Sequence, residues 1–143
     1  MNTFVLDANL AVFNVLKTPQ SAAAARTLEH LSQSGCQPFA PDLWWYEVTS
    51  VIHRYLFAGL IKEATAYQAL ELLTTGLGVQ KVDVPVRAAF NWATRLRQKA
   101  AYDGFYLATA EQLGTDLWTA DQALVKNAQQ IGITWVHWIG EIE

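Results

Sequence analysis

Three aspartates and one glutamate are the residues of this chain whose types and positions could support catalysis. Asp7 follows the apolar run FVL, and Asp121 follows the apolar segment DLWTA. Asp103 stands at the start of an apolar helical pattern, and Glu47 lies inside another. Converging carboxylates repel one another unless a cation joins them, and their oxygens are ligands that Mg²⁺ or Mn²⁺ prefers. The four acids together predict a divalent metal site, where such an ion could hold a phosphate oxygen and activate a water.

Helix capping is the simpler explanation for each aspartate taken alone. Asp7, Asp103 and Asp121 all stand at predicted helix starts, where aspartate is a preferred N-cap and suits the helix dipole. Asp42 is a comparable cap candidate to which we assign no function. Capping and metal binding therefore remain open alternatives for each of the three aspartates.

Glu47 is different because it lies within the helical segment DLWWYEVTSVIHRYL and cannot cap it. Its neighbours at helical spacing include Trp44, Val48 and Val51, several of which should face the core. A carboxylate beside an apolar face is costly unless it is paired or coordinated. The alternative is a position at the rim of the core, solvated or paired with a cation such as Arg54.

Composition describes a chain with a substantial core and few charges. The 143 residues are 52% hydrophobic and 16% charged, which fits one domain spanning residues 1–143. The only cysteine, Cys36, excludes an internal disulfide and a zinc site built on several cysteines, and favours a reducing compartment. No run approaches the length of a membrane span, so we expect a cytoplasmic protein that does not enter a membrane.

The net charge of −3 argues against binding nucleic acid through overall charge. It does not exclude a local basic patch. If cations neutralised four carboxylates, 9 acidic residues would face 10 basic ones, a balance that repels phosphate much less.

Strand-like segments alternate with helical patterns along the chain. The predicted strands are FVL, CQPFA, VQKVDV, DLWTA and ITWVHW. Helices between strands imply right-handed crossovers and a mainly parallel sheet with helices on both faces, an α/β fold. In such a sheet functional groups collect at the carboxyl ends of the strands, so Asp7 and Asp121 share a crevice if strands one and four are neighbours.

Local signals place the ends of several helices. Ser21 is predicted as the N-cap of the second helix and Gly35 as its stop. Pro41 and Asp42 are predicted to open the long third helix. Pro85 is predicted in the first turn of a helix that runs through VRAAFNWATRLRQK.

Four acidic blocks of the sequence resemble those of the PIN-domain ribonucleases, and in particular the VapC-like toxins of type II toxin–antitoxin pairs. The blocks are FVLDAN, PDLWWYEV, YDGFYLATAEQLG and LWTADQAL, and the resemblance extends over almost the whole chain. It implies a three-layer α/β/α fold whose five-stranded sheet has the order 3-2-1-4-5. It also implies that Asp7, Glu47, Asp103 and Asp121 bind metal, and it matches Thr119 to a hydroxyl position before the last acid.

The resemblance further implies an activity and partners. The activity is Mg²⁺- or Mn²⁺-dependent endonucleolytic hydrolysis of RNA that leaves a 5′-phosphate. Asp7 and Asp103 would be the principal ligands, Glu47 and Asp121 would be ligands or would orient the attacking water, and Thr119 would donate a hydrogen bond. The partners would be RNA, a cognate antitoxin and a second copy of the chain.

Two positions depart from the family pattern or leave it open. Gly104 stands where the family often has alanine, which should cost helix stability without touching a ligand. Asp116 lies near the last block, so the identity of the fourth acid stays open.

Basic residues lie close to the third acidic block. Arg97 and Lys99 precede Asp103 and could guide RNA phosphates, although a solvated helix face is the commoner explanation for such residues. His30, His53 and His137 are widely separated in sequence, which disfavours a ribonuclease driven by histidines.

Two other classes of function compete with the nuclease. A catalytically silent PIN-fold module that binds RNA or protein would usually lack one of the acids. A haloacid-dehalogenase-like phosphatase would need a second aspartate where Asn9 stands, and a phosphotransfer receiver would need paired acids at its first strand and a lysine after its last.

Overall fold

Five short parallel strands form one sheet in the computed structural model, which describes residues 2–143. The strands are β1 (Asn2–Leu6), β2 (Cys36–Pro41), β3 (Gln80–Val82), β4 (Asp116–Thr119) and β5 (Val136–Trp138). Their order is β3-β2-β1-β4-β5, and every neighbouring pair is parallel. The predicted α/β class and the strand order implied by the resemblance are confirmed.

Within residues 2–143, seven α-helices connect the strands and complete a three-layer α/β/α fold. They are α1 (Ala8–Val15), α2 (Ser21–Gln33), α3 (Leu43–Phe57), α4 (Glu63–Glu71), α5 (Val86–Leu96), α6 (Tyr102–Leu113) and α7 (Gln122–Gln130). A π-helical turn follows α4 at Leu72–Gly76, and a 3₁₀ turn follows β5 at Ile139–Glu141. In residues 2–143 there is no helix with the length and apolar content that crossing a membrane requires.

The central position of β1 follows from its apolar run. Phe4, Val5 and Leu6 are all buried, as expected for a strand covered on both faces. Val5 pairs with Phe39 of β2 on one side and with Leu117 of β4 on the other. This register fixes the ends of β1 and β4 side by side.

The carboxyl ends of these two neighbouring strands carry two of the predicted acids. Leu6 pairs with Trp118, and the backbone N–H of Asp7 donates to the carbonyl oxygen of Trp118 at 3.2 Å. Asp7 therefore leaves the sheet directly beside the end of β4, and Asp121 follows β4 by two residues. The crevice expected from strand adjacency forms at this edge.

The predicted cap at Ser21 is wrong, and the predicted cap at Asp42 is correct in position but makes no capping hydrogen bond. Ser21 is the first residue of α2 and not its N-cap, because its hydroxyl donates to the carbonyl oxygen of Leu16 and accepts from the N–H of Thr18. Asp42 precedes α3 but makes no capping hydrogen bond, and its carboxylate lies 3.2 Å from the ammonium of Lys81. In both cases contacts outside the helix take the side chain away from the cap.

The ends of two other helices also differ from prediction. Pro41 is the last residue of β2, so it ends a strand and does not open α3. Pro85 is the N-cap of α5 and lies just outside its first turn. Helix α5 stops at Leu96 because Arg97 takes a left-handed conformation with φ of 55°. The residues after Arg97 therefore form a turn that leads into α6.

Candidate active site

One cavity of about 110 Å³ brings the four predicted acids together. Asp7 enters it from the end of β1, Glu47 from α3, Asp103 from α6 and Asp121 from the loop after β4. The remaining lining residues are Ala8, Asn9, Val51, Arg54 and Tyr106. The side chains come from segments that are distant in sequence and that only the sheet order makes adjacent.

Asp7 and Asp121 both cap helices and both line the cavity. The N–H of Leu10 donates to Asp7 Oδ1 at 2.8 Å, and the N–H of Leu124 donates to Asp121 Oδ1 at 3.1 Å. The buried hydroxyl of Thr119 donates to Asp7 Oδ2 and accepts from the N–H of Asp121 at 2.9 Å. Capping fixes the direction of each aspartate and leaves it facing the cavity, so the two explanations of these residues are compatible.

Asp103 is not a cap, contrary to the simpler explanation of its position. The N-cap of α6 is Ala101, and Asp103 is the second residue of the helix. Its Oδ2 accepts a hydrogen bond of 2.8 Å from the side-chain amide of Gln98. The turn that begins at Arg97 brings Gln98 back toward the start of α6.

Glu47 forms a hydrogen bond with a tyrosine, and not the ion pair with Arg54 that was the alternative explanation of its position. The hydroxyl of Tyr106 donates to Glu47 Oε1 at 2.5 Å. In the described part of the chain Arg54 makes no ion pair with Glu47 within 4.0 Å, although both line the cavity. Burial is the main reason that the pKa of Glu47 is raised; the hydrogen bond from Tyr106 lowers it, the charge of Asp103 raises it further, and the charge of Arg54 lowers it.

Burial makes ionisation of the acids unfavourable. Desolvation raises the pKa of Asp7 to about 6, against hydrogen bonds from Thr119 and Leu10 that lower it. Desolvation is also the main reason that the pKa values of Glu47 and Asp103 are raised. Asp7, Glu47 and Asp103 are each only partly buried, so each keeps some surface open to solvent.

Asp103 is the electrostatic centre of the group. Its charge raises the pKa of Asp7 and of Glu47, and the charge of Asp121 raises the pKa of Asp103 in turn. Repulsion among partly desolvated carboxylates is relieved by protons or by a cation. The donor set consists of oxygens alone and therefore fits a hard cation such as Mg²⁺ or Mn²⁺.

The carboxylates retain oxygens that could reach such an ion. Glu47 Oε2, Asp103 Oδ1 and Asp121 Oδ2 accept no hydrogen bond from residues 2–143. Within the same residues, no three side chains of the His, Cys, Asp and Glu types are grouped tightly enough to hold one ion as they stand. The donor chemistry fits, and binding would draw the side chains closer together.

Asp116, the other candidate for the fourth acid, lies away from the cavity. It is the first residue of β4, it is exposed, and its Oδ2 lies 3.4 Å from His137 Nε2. The structure thus leaves Asp121 as the acid of the last block that faces Asp7.

The two predicted RNA-binding residues are exposed but do not line the cavity. Arg97 ends α5, and Lys99 lies in the following turn. Arg54 is the basic residue that the cavity itself includes. Sequence reasoning also gave no role to Tyr106 and Gln98; the one available signal was the i, i+3 spacing of Tyr106 from Asp103.

Comparison with known families decides the assignment. The family model described as PIN domain matches residues 4–129, a range that includes all four acids and Thr119. The chain belongs to the PIN domain family. Proteins with a PIN domain are generally nucleases, and they generally use divalent metals.

Two solved structures share the fold of this PIN domain. PAE2754 from Pyrobaculum aerophilum is 16% identical with a TM-score of 0.70, covering 98% of this chain and 92% of that chain. VapC20 from Mycobacterium tuberculosis, described as a sarcin-ricin loop cleaving toxin, is 16% identical with a TM-score of 0.63, covering 93% and 98%. At such identities the likeness shows the fold alone. Among curated protein sequences there is no significant match.

Proposed function

We propose that this PIN domain is a Mg²⁺- or Mn²⁺-dependent endoribonuclease that hydrolyses phosphodiester bonds of RNA and serves as the toxin of a toxin–antitoxin pair. The observation that carries the proposal is the convergence of Asp7, Glu47, Asp103 and Asp121 on one cavity at the carboxyl edge of the sheet. Two further facts support it: the family match spans all four acids, and a VapC toxin shares the fold.

The four acids would hold the cation, with Asp7 and Asp103 as principal ligands. When bound, the cation supplies positive charge that polarises a phosphoryl oxygen and makes a nearby water more acidic. Glu47 and Asp121 would bind the ion or orient the attacking water through their free oxygens. Thr119 fixes the direction of Asp7, because its hydroxyl donates to one carboxylate oxygen while Leu10 donates to the other.

Arg54 is a positively charged side chain in the cavity that could bind the RNA backbone. Its exposed side chain lines the cavity beside Glu47, and a guanidinium binds phosphate oxygens through directed hydrogen bonds. Arg97 and Lys99 lie beyond the cavity, before Asp103, where they would contact the backbone of the same RNA further along. Together these residues offset the negative charge of the chain where the substrate would lie.

Exposed apolar side chains support the two protein partners. One group lies on α5 and at the starts of α3 and α6, and comprises Tyr46, Val86, Phe90 and Tyr102. Another lies at the end of α3 and in the turn that follows it, and comprises Phe57 and Leu60. Exposed apolar side chains that lie together on a surface suit protein contacts. We propose that these surfaces receive a second copy of the chain and a cognate antitoxin, and that the antitoxin binds near the acid cavity.

The proposed place of action is the cytoplasm. RNA is the proposed substrate, and Cys36 is a free thiol that needs no oxidising compartment. The proposal for location depends on the proposal for activity.

A cleavage assay tests the activity. Labelled single-stranded RNA is incubated with the protein in Mg²⁺ or Mn²⁺, with and without EDTA, and the product ends are mapped. We expect internal cuts with 5′-phosphate ends that stop with EDTA and resume when metal is restored. Cleavage that persists in EDTA would overturn the metal-dependent mechanism, and metal binding without cleavage of any RNA would favour the catalytically silent module.

A further inference from the structure

The phenol of Tyr106 is a polar group on the wall of the acid cavity that the proposed function does not use. Tyr106 is only 2% exposed, and its ring belongs to the hydrophobic core. Its hydroxyl lines the cavity and donates to Glu47 Oε1, across 59 residues of sequence. The ring could pack equally well as phenylalanine, so the hydroxyl is the part that needs an explanation.

Glu47 needs a partner of this kind more than the other acids do. Asp7 and Asp121 are short side chains whose directions are fixed by backbone N–H groups. Glu47 has a longer side chain, lies inside α3 and receives no backbone hydrogen bond within residues 2–143. Without Tyr106, its carboxylate would be free to rotate among staggered side-chain conformations.

The nature of the donor also matters. A phenol donates one hydrogen bond and carries no charge, so it holds Oε1 while leaving the negative charge of Glu47 available. Arg54, had it formed an ion pair with Glu47, would have neutralised that charge. Tyr106 therefore directs Oε2, the other oxygen, without competing electrostatically with a cation.

Helix α6 links this contact to a second acid. Tyr106 follows Asp103 by three residues, a spacing that places both side chains on the same face of the helix. One rigid helix thus positions Asp103 directly and Glu47 through the phenol. The orientation of Glu47 on α3 is thereby fixed relative to Asp103 on α6.

We propose that Tyr106 is a positioning residue that holds Glu47 in the orientation required to bind the cation or to orient the attacking water. This proposal rests on the metal-dependent activity proposed above. Groups that orient metal ligands from outside typically change metal affinity or activity by about 10- to 100-fold when they are removed.

The test compares Tyr106→Phe with Tyr55→Phe. Tyr55 is half-buried on α3, and its hydroxyl makes no hydrogen bond with another described residue, so its removal controls for loss of a phenol oxygen. Mg²⁺ affinity is measured without RNA by calorimetry, and kcat and KM are measured with RNA. We expect Tyr106→Phe to weaken Mg²⁺ binding ~10-fold or more and to lower kcat more than it raises KM. Tyr55→Phe should match the wild type.

A double-mutant cycle separates positioning from general damage. In a Glu47→Ala background, Tyr106→Phe should cause no further loss of Mg²⁺ affinity, because the side chain it positions is gone. Circular dichroism of each variant checks that the fold is kept. Wild-type Mg²⁺ affinity in Tyr106→Phe, or an undiminished effect in the Glu47→Ala background, would overturn the role of Tyr106 alone. A wild-type protein that binds neither Mg²⁺ nor Mn²⁺ would overturn the proposed function and this role with it.

Discussion

The hydroxyl of Thr119 joins the first and last acids of the cavity. It donates a hydrogen bond to Asp7, 112 residues earlier in the chain, and it accepts one of 2.9 Å from the backbone N–H of Asp121. Thr119 is completely buried at the end of β4. A single side chain in the sheet thus fixes the direction of Asp7 and the path of the chain that carries Asp121.

Thr119→Val should impair the site while filling the same space. Valine removes both hydrogen bonds, which costs about 1 to 3 kcal/mol of unfolding free energy and removes a donor that lowers the pKa of Asp7. We expect weaker Mg²⁺ binding and slower RNA cleavage, measured by calorimetry and single-turnover kinetics. Thr119→Ser keeps the hydroxyl and serves as the control. Equal cleavage by the valine and serine variants would contradict this role.

Asp7→Asn should stabilise the protein when no metal is present. Asp7 has a pKa of about 6 in the folded protein against 3.8 ordinarily, so between these pH values the folded state holds a proton that the unfolded state has lost. Its contribution to stability is therefore present at low pH and is lost as pH rises from about 4 to 6. Asparagine keeps the cap and carries no charge, so it should raise the unfolding free energy at pH 7 by about 3 kcal/mol.

Urea unfolding in EDTA at pH 5 and pH 7 checks this prediction. The wild type should lose more stability between the two pH values than Asp7→Asn does. Asp7→Asn should still lose some stability between pH 5 and pH 7, because the raised pKa values of Glu47 and Asp103 act in the same direction. An identical loss of stability in both proteins would show that ionisation of Asp7 does not destabilise the folded state.

Gly104→Ala should destabilise the protein although alanine favours helices. A Cβ at Gly104 would lie 2.2 Å from the carbonyl oxygen of Ala89, so α5 and α6 would have to separate. Overpacking of this kind costs about 1 to 3 kcal/mol, more than the ~1 kcal/mol gained in helix propensity. The movement of α6 would also displace Asp103 and lower cleavage.

Gly76→Ala is the matched control for this substitution. Its Cβ would meet only the Leu72 side chain, 3.4 Å from Cδ2 and 3.8 Å from Cβ, and its backbone needs no left-handed conformation. Thermal unfolding should show a clear drop for Gly104→Ala and little change for Gly76→Ala. A stabilised Gly104→Ala protein would mean that the two helices can separate without cost.

Arg54→Gln should affect RNA cleavage more than the same change at Arg97 or Lys99. Arg54 lines the cavity, whereas the other two do not. Loss of a charged hydrogen bond to phosphate at the site should lower kcat/KM ~10-fold or more. Arg97→Gln and Lys99→Gln should mainly reduce the salt dependence of RNA binding. An Arg54→Gln enzyme with wild-type kcat/KM would place the phosphate elsewhere.

The fold could largely be predicted from the sequence because the patterns that indicate its strands and helices are local. A buried parallel strand such as β1 is an uninterrupted apolar run, and the helices between strands impose parallel pairing. The predicted cap at Ser21 failed because Leu16 competes for its side chain, and Asp42 holds the N-cap position of α3 while its carboxylate pairs with Lys81. Such competition depends on tertiary contacts that local propensity does not contain.

The acids could be located for the same reason that the fold could. Asp7 and Asp121 follow strands whose ends must meet once the strand order is known, and Glu47 stood out because capping could not explain it. Tyr106 and Gln98 could not be found in this way. One hydrogen bond crosses 59 residues, and the other depends on the left-handed turn at Arg97.

The most direct test of the proposed activity is the rate of Mg²⁺-dependent RNA cleavage by Asp7→Asn. The matched control is Asp116→Asn, which changes an exposed aspartate paired with His137 and away from the cavity. We expect Asp7→Asn to remain folded and to cleave no faster than the wild type in EDTA, while Asp116→Asn cleaves at the wild-type rate. An Asp7→Asn protein that cleaves RNA at the wild-type rate would contradict the assignment of this cavity as the active site.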